Sequence, residues 1–249
     1  MDIITMDAET FFSSDYTLSS LTTEEYVRNE RFECHGWAIR MPNVKTFWLD
    51  HLQFYAWAET IDWSQTAVLC HHAHFDGLIL SHHYGVVPAL YLDTYSMARA
   101  LLGTHISKGL ESLAKEFGLG AKTIPYDLFK GKHWHELSEQ VRQQVARGAC
   151  DDVSLTWDLF QKLAAGFPKN EYAIVDATVR MFTCPRLVGN TELLGQIWQA
   201  EERKKQQLLS NFIADFADHP EIRKLKNQDP EELIRKDWVF ATLLRANGI

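Results

Sequence analysis

The sequence predicts an α/β fold over its first half and a helical arrangement over its second half. Short apolar, β-prone runs alternate with helical patterns up to about residue 117, as expected for a mixed sheet with helices packed on it. Beyond residue 134, apolar residues recur at three- and four-residue spacing. We therefore expect a sheet-containing domain followed by a helical C-terminal part.

Five β-prone runs are predicted to form the strands of this sheet. The first run ends at Asp7, and Pro42 with Asn43 supplies a hairpin turn between the second and third runs. The last two runs are short and wholly apolar, which suits buried strands. The predicted strands are residues 3–6, 32–41, 45–49, 67–70 and 90–92.

Helical patterns lie between the strands and continue alone after them. Asp93 and Thr94 close the fifth strand and are suited to cap the helix that follows. The chain becomes more charged and less aromatic after Pro185, which predicts a boundary between residues 1–185 and 186–249. The predicted helices are residues 52–61, 75–84, 95–102, 109–117, 134–147, 152–164, 171–182 and 191–217.

Composition limits the class of protein. The 249 residues can bury a core as one large domain, or as one domain with an appendage. No run approaches the ~20 apolar residues of a membrane span, and the acidic N-terminus is unlike a signal peptide. Four scattered cysteines without a C-x-x-C pair predict reduced core thiols and a cytoplasmic location.

The net charge of −8, from 25 basic and 33 acidic residues, argues against high-affinity binding to nucleic acid. Carboxylates that hold divalent cations count as negative charge when the metal is ignored. The charge therefore leaves open an enzyme that contacts a polyanion transiently through metal ions. Two local groups are nevertheless basic: Lys122, Lys130 and Lys132, and Arg203, Lys204 and Lys205.

Asp7 and Glu9 form a D-x-E motif at the end of the first predicted strand. Residues two apart on a strand project from the same face, so both carboxylates can share one metal ion. Mg²⁺ and Mn²⁺ prefer such hard oxygen ligands. Taken alone, D-x-E is a weak signal because it recurs by chance in an acidic protein.

Two further acidic positions follow later in the chain. Asp76 opens a predicted helix after a buried strand, and Asp152 lies early in a later predicted helix, next to Asp151. Each has an ordinary explanation, since an acidic residue at a helix start complements the helix dipole. The functional interpretation depends on the three motifs occurring together.

In this order the motifs resemble the three exonuclease motifs of the DEDD superfamily: D-x-E on the first strand, F-D at a helix start, and D-V-x-L-T on a later helix. The likeness extends over essentially the whole chain to the proofreading exonuclease domain of bacteriophage family A DNA polymerases. The stretches that carry this resemblance are residues 5–33 (TMDAETFFSSDYTLSSLTTEEYVRNERFE), 74–101 (HFDGLILSHHYGVVPALYLDTYSMARAL), 110–122 (LESLAKEFGLGAK) and 167–187 (FPKNEYAIVDATVRMFTCPRL).

The resemblance implies a ribonuclease H-like fold, with a mixed five-stranded sheet flanked by helices. It implies a 3′→5′ DNA exonuclease with two divalent cations, Mg²⁺ or Mn²⁺, for phosphodiester hydrolysis. The implied ligands are Asp7, Glu9, Asp76 and Asp152.

The resemblance also implies partners and a domain organisation. The partners are single-stranded DNA or frayed 3′ ends, and a polymerase domain in the same or a separate chain. Residues 1–185 would form the exonuclease domain, and residues 186–249 would lead toward a polymerase domain that this chain lacks. The implied location is the cytoplasm, that of the bacterial host if the protein is phage-encoded.

Four residues close to the ligands are candidates for substrate binding. Aromatic rings there can stack on the terminal bases, worth about 1–3 kcal/mol per base. Core packing is the alternative role for the phenylalanines. The candidates are Thr10, Phe11, Phe12 and Phe75.

The chain departs from the resemblance where the attacking water should be oriented. The family places Tyr four residues before the third-motif Asp, or His five before it, but Gly148 and Arg147 stand here. A tyrosine at residue 148 would share a helix face with Asp152 if the helix reaches back that far. The candidate general bases or water-orienting residues are His72 and His74, and less strongly His133 and His135.

Three other interpretations stay open. A catalytically impaired module of this fold would bind DNA or a partner without cutting, and an RNA-degrading enzyme would carry the same motifs because residues that contact a 2′-hydroxyl are not identifiable. A structural zinc site is the third, although no standard ligand spacing is present. Its ligands would come from Cys70, His71, His72, His74, His82 and His83.

Overall fold

The computed structural model describes residues 1–103, 105–216, 232 and 235–246. The chain divides into two compact units, Met1–Arg186 and Leu187–Ile249. Ala217, the last residue of the final predicted helix, lies outside the described residues, as does much of the chain that follows it. Within the described part, no helix is long and apolar enough to cross a membrane.

Five strands form one mixed sheet in the first unit. They are β1 (Asp2–Thr10), β2 (Cys34–Arg40), β3 (Phe47–Asp50), β4 (Thr66–Cys70) and β5 (Leu90–Asp93). Their order is β3-β2-β1-β4-β5, with β1 in the centre, antiparallel to β2 and parallel to β4. The predicted mixed sheet is confirmed.

The two faces of β1 have different environments. Ile4, Met6 and Ala8 belong to one buried apolar cluster. Because side chains alternate along a strand, Asp7 and Glu9 project from the opposite face. β1 also extends beyond the predicted residues 3–6, so both carboxylates lie within a paired strand and have a fixed backbone.

Helices cover both faces of the sheet. Leu78 and Ile79 of the third helix join Ile4 in one core cluster, whereas Leu159 of the seventh joins Leu69 in another. The helices of the first unit are α1 (Thr23–Val27), α2 (His51–Ala58), α3 (Ala73–His83), α4 (Thr94–Leu102), α5 (Leu110–Glu116), α6 (Tyr126–Phe129), α7 (Glu139–Ala164) and α8 (Glu171–Thr183). The second unit, by itself, contains α9 (Thr191–Phe216) and α10 (Asp237–Ala246) among its described residues.

The prediction of two helices over residues 134–147 and 152–164 was wrong, because α7 is one continuous helix of 26 residues. It begins after Ser138, whose hydroxyl accepts a hydrogen bond from the Val141 backbone N–H at 3.3 Å. Gly148 lowers helix propensity by about 1 kcal/mol, but no proline interrupts the helix and Gly148 is buried against its neighbours. Asp152 therefore lies in the middle of α7, not early in a helix.

Gly36 of β2 allows β3 to pack closely at the edge of the sheet. A Cβ atom at this position would overlap the backbone oxygen of Leu49 and the indole ring of Trp48. We expect Gly36→Ala to lower the free energy of unfolding by about 1–3 kcal/mol, because the overlap forces the two strands apart. Urea denaturation would measure the change.

Gly166→Ala is the matched control, since a Cβ at Gly166 would meet no atom within 4 Å. Its stability should stay within about 0.5 kcal/mol of the wild type. Equal stabilities for the two variants would contradict the close packing at Gly36.

Candidate active site

The structure brings the four predicted carboxylates together at the end of the central strand. Asp7, Glu9 and Asp76 line one pocket of about 320 Å³. Asp152 approaches from α7, and its charge acts on both Asp7 and Glu9. Glu9, Asp76 and Asp152 are buried and Asp7 is partly buried. The site therefore combines four acidic side chains from β1, α3 and α7.

Asp76 is fixed to β1 by a hydrogen bond from the backbone. The parallel pairing of β1 with β4 ends at Thr5 and Leu69, so the later residues of β1 lose their β4 partners. The Ala8 N–H lies in this stretch and donates to Asp76 Oδ1 at 3.0 Å. This bond places the Asp76 carboxylate in the same pocket as Asp7 and Glu9.

A tight turn between β4 and α3 sets this position. His72 adopts a left-handed conformation, with φ 74° and ψ 56°, and its backbone N–H donates to Asp93 Oδ1 at 2.7 Å. The same carboxylate caps α4, as predicted, by accepting from the Tyr95 N–H at 3.1 Å. Because α3 begins at Ala73, Asp76 is its fourth residue and not the opening residue that the sequence suggested.

The acidic cluster shifts the proton affinity of its own members. Burial raises the pKa of Asp7 to about 7, and the negative charge of Asp152 contributes to that rise. Burial, and then the charge of Asp7, raise the pKa values of Glu9 and Asp76 well above their ordinary ranges. These carboxyl groups thus hold their protons to higher pH than exposed carboxyl groups do.

The side chain of Lys122 brings a positive charge into this site. The sequence did not predict that Lys122 contacts the acidic residues. Its Nζ lies 2.6 Å from Asp152 Oδ2. Burial alone would lower the pKa of Lys122, but the Asp152 carboxylate raises it above its ordinary value. Burial raises the pKa of Asp152, and Lys122 limits that rise. The sequence showed Lys122 only as part of a basic group.

The α5–α7 connection, residues 117–138, carries Lys122 into the site. Thr123 Oγ1 donates to Asp151 Oδ2 at 2.7 Å, which ties the connection to α7. The connection also brings Tyr126 into the pocket, where burial raises the pKa of its hydroxyl above the ordinary value. Lys122 Nζ donates to the Tyr126 hydroxyl oxygen at 3.2 Å. Tyr126 is the second site residue that sequence reasoning missed.

Three of the four predicted substrate-binding residues line the pocket: Thr10, Phe12 and Phe75. Phe11 does not. It is 8% exposed, and its ring stacks on His133 with centroids 4.5 Å apart. A β-bulge between Glu9 and Thr10 interrupts the alternation of side chains at the end of β1. Because of this bulge, the two-residue spacing from Glu9 to Phe11 does not place both side chains on one face of the sheet.

The candidate histidines occupy different places. His72 lines the pocket. His74 is not among the lining residues, and its ring lies 5.5 Å from that of Phe182. His133 is engaged away from the pocket, with its Nδ1 2.6 Å from Glu33 Oε2. Of the predicted bases, His72 is the one that the pocket contains.

The four carboxylates offer negatively charged oxygen atoms, which are the ligands that hard divalent cations prefer. Asp152 Oδ1 is buried without a hydrogen-bond partner, and Oδ2 has only the close ion pair with Lys122. Within the described residues, however, no three His, Cys, Asp or Glu side chains are already arranged around an ion, either here or in the histidine-rich stretch. Side chains would have to rotate to surround an ion here, and Asp152 would have to give up its contact with Lys122.

Gly148 does precede Asp152 by one turn of α7, but it has no room for a tyrosine. A Cβ there would lie 2.8 Å from Ile124 Cα and 2.9 Å from its backbone nitrogen. The predicted shared helix face of residues 148 and 152 is confirmed, but the α5–α7 connection fills the space that a larger side chain at 148 would need.

No protein-family model and no curated protein matches the chain. Among solved structures, RNase D from Trypanosoma brucei has a TM-score of 0.53 and 16% identity over 76% of this chain and 68% of its own. The same enzyme in complex with RNA U12 has a TM-score of 0.53 and 17% identity, over 76% of this chain and 65% of its own.

Two other structures are more distant. The catalytic core of RRP6 from T. brucei has a TM-score of 0.49 and 16% identity over 73% of this chain, and the match spans only 45% of that core. NrnC from Brucella melitensis, with bound Mg²⁺, has a TM-score of 0.48 and 14% identity over 74% of this chain and 82% of its own. The fold is ribonuclease H-like with a helical C-terminal part, as predicted.

Lys122→Met is expected to destabilise the protein in chelator at pH 8 by about 1–3 kcal/mol, because the buried Asp152 carboxylate loses its counterion. Added Ca²⁺ or Mg²⁺ should then stabilise the variant more than the wild type, since a divalent ion replaces the lost charge. Urea denaturation with and without the ion measures both effects. Lys115→Met, on the exposed face of α5, is the control, and equal stabilities of the two variants would contradict the ion pair.

Asp7→Asn is expected to stabilise the protein in chelator at pH 8. An acid whose pKa is raised in the folded state, here to about 7, supports folding at low pH and loses that contribution as pH rises from about 4 to about 7. The variant should therefore gain about 1–3 kcal/mol at pH 8 and much less at pH 5. Asp2→Asn, at the exposed start of β1, is the control; a gain independent of pH would refute the electrostatic cause.

Proposed function

We propose that this chain is a 3′→5′ exonuclease that removes terminal nucleotides from a single-stranded polynucleotide by cation-dependent hydrolysis. The observation that carries the proposal is the convergence of Asp7, Glu9, Asp76 and Asp152 beside one aromatic-lined pocket. Four mutually repelling carboxylates at one place cost stability unless cations compensate them. The fold shared with RNase D supports the same class of reaction.

The roles of the side chains follow from their positions. Asp7, Glu9, Asp76 and Asp152 would hold two Mg²⁺ or Mn²⁺ ions, which when bound activate water and neutralise charge on the phosphate and the leaving 3′-oxygen.

The pocket wall would bind the terminal nucleoside. Thr10, Phe12 and Phe75 line it, and the two rings would contact the terminal bases by stacking.

DNA is the first candidate substrate, because the sequence resembles phage proofreading domains. In that role the chain would remove 3′-terminal nucleotides from the frayed ends that a DNA polymerase domain, in the same or a separate chain, presents. The proposed cellular location is the cytoplasm. The section after residue 186 would lead toward that polymerase domain.

RNA is the second candidate, favoured by the structural similarity to an RNase D whose structure was solved with RNA U12. The difference between the two polymers is the 2′-hydroxyl, which a protein reads by direct contact. One experiment on matched DNA and RNA oligonucleotides separates the two candidates.

The test is incubation of 5′-labelled single-stranded DNA and RNA of one sequence with Mg²⁺ or Mn²⁺, with and without chelator. We expect a ladder of products shortened stepwise from the 3′ end. Chelator and Asp7→Asn should each lower the rate on the order of a thousandfold, because several kcal/mol of transition-state stabilisation is lost. Asp2→Asn should retain the wild-type rate.

Two results would contradict the proposal. Internal fragments without stepwise shortening would indicate an endonuclease. Binding of either oligonucleotide without chelator-sensitive products would favour the non-cutting module of the same fold.

A further inference from the structure

The space beside Asp152 on α7 is occupied by another part of the chain. Gly148, one helical turn before Asp152, contacts Ile124 so closely that a Cβ would lie 2.8 Å from Ile124 Cα. The α5–α7 connection is held there by Thr123, through Asp151. The absence of a side chain at residue 148 is thus the condition for the connection to dock on α7 at the level of the acidic cluster.

Docking at Gly148 brings Tyr126 to the carboxylates. Tyr126 lines the pocket together with Asp7 and Glu9, and the charges of both acids act on its hydroxyl. Its ring lies against Phe12 in an edge-to-face arrangement, with centroids 6.1 Å apart. The phenol is therefore fixed by packing next to the acids.

The hydrogen bonding of Tyr126 leaves its hydroxyl available to a substrate. Lys122 Nζ donates to the hydroxyl oxygen at 3.2 Å, which uses one lone pair and leaves a second lone pair and the proton. Donation by an ammonium group polarises the phenol, which strengthens the hydrogen bond that its proton can make. A neutral hydroxyl that can accept from water and donate to a phosphate oxygen is suited to align the two.

We propose that Tyr126 holds the attacking water in line with the scissile phosphate, an inference that rests on the proposed exonuclease function. Its second lone pair accepts from the water, and its proton is donated to a non-bridging phosphate oxygen. Phosphodiester hydrolysis depends mainly on such positioning.

In the reaction, the water oxygen bonds to phosphorus as the bond from phosphorus to the 3′-oxygen breaks. The water releases a proton to solvent, and the leaving oxygen takes one from solvent. Tyr126 itself neither gains nor loses a proton.

The test compares Tyr126→Phe with the wild type, because phenylalanine keeps the ring and its packing and removes only the hydroxyl. We expect kcat to fall about tenfold to a hundredfold and KM to stay unchanged. Calorimetric binding of Ca²⁺, oligonucleotide affinity in Ca²⁺ and the thermal midpoint should also stay unchanged. Tyr55→Phe, at a residue of α2 that is 52% exposed, should keep full kcat.

A second measurement does not depend on turnover. In protein labelled with 3-fluorotyrosine, the fluorine-19 NMR spectrum should contain one resonance for each of the eight tyrosines. The resonance that is missing from the spectrum of Tyr126→Phe belongs to Tyr126. That resonance should shift when the protein in Ca²⁺ binds an oligonucleotide, because the hydroxyl gains partners, while the Tyr55 resonance should not. An unchanged Tyr126 resonance would overturn the proposal.

The outcomes separate this inference from the proposed function. An inactive wild type would overturn both. An active wild type with full kcat in Tyr126→Phe would overturn the role of Tyr126 alone, and a simultaneous loss of kcat in His72→Asn would assign the water to His72. A fall in kcat accompanied by weaker Ca²⁺ binding or a lower thermal midpoint would show that Tyr126 is structural.

Discussion

The hydrogen bond from the Ala8 backbone to Asp76 is the interaction on which the acidic site depends. Ala8 lies beyond the part of β1 that pairs with β4, and a buried N–H without a partner would cost about 1–3 kcal/mol. Asp76 accepts that bond and is thereby placed beside Asp7 and Glu9. One side chain thus completes the backbone pairing of the central strand and supplies a carboxylate to the site.

The acidic cluster illustrates a conflict between stability and function. Burial disfavours every charge in it, the charge of Asp152 raises the pKa of Asp7, and the charge of Asp7 raises the pKa values of Glu9 and Asp76. The surrounding sheet and helices nevertheless hold Asp7, Glu9 and Asp152 together, because the core residues on the same elements supply the folding energy. Lys122 compensates one of the three charges. Such stored repulsion is typical of sites built to bind a ligand of opposite charge.

Sequence patterns predicted the sheet from β-prone runs that alternate with helical patterns. They predicted the common face of Asp7 and Glu9 from the two-residue period of one strand. They did not predict the place of Lys122 or Tyr126, which lie in the α5–α7 connection and reach the acidic site only through tertiary packing. They left residues 148–151 out of the predicted helices, whereas α7 runs through this stretch and Gly148 packs against Ile124. Phe11 takes the core-packing role that the sequence left open for the phenylalanines, since it is buried and its ring stacks on His133.

The contact between Gly148 and Ile124 makes the effect of a substitution at 148 depend on the α5–α7 connection. A chain that acquires a large side chain at 148 while keeping the α5–α7 connection suffers a steric clash in the middle of α7. A chain that first withdraws the connection loses Lys122 and Tyr126 from the pocket and gains nothing at 148. Either change made alone, a large side chain at 148 or withdrawal of the connection, is therefore unfavourable. We therefore expect glycine at 148 and an inserted connection to be inherited together across related sequences.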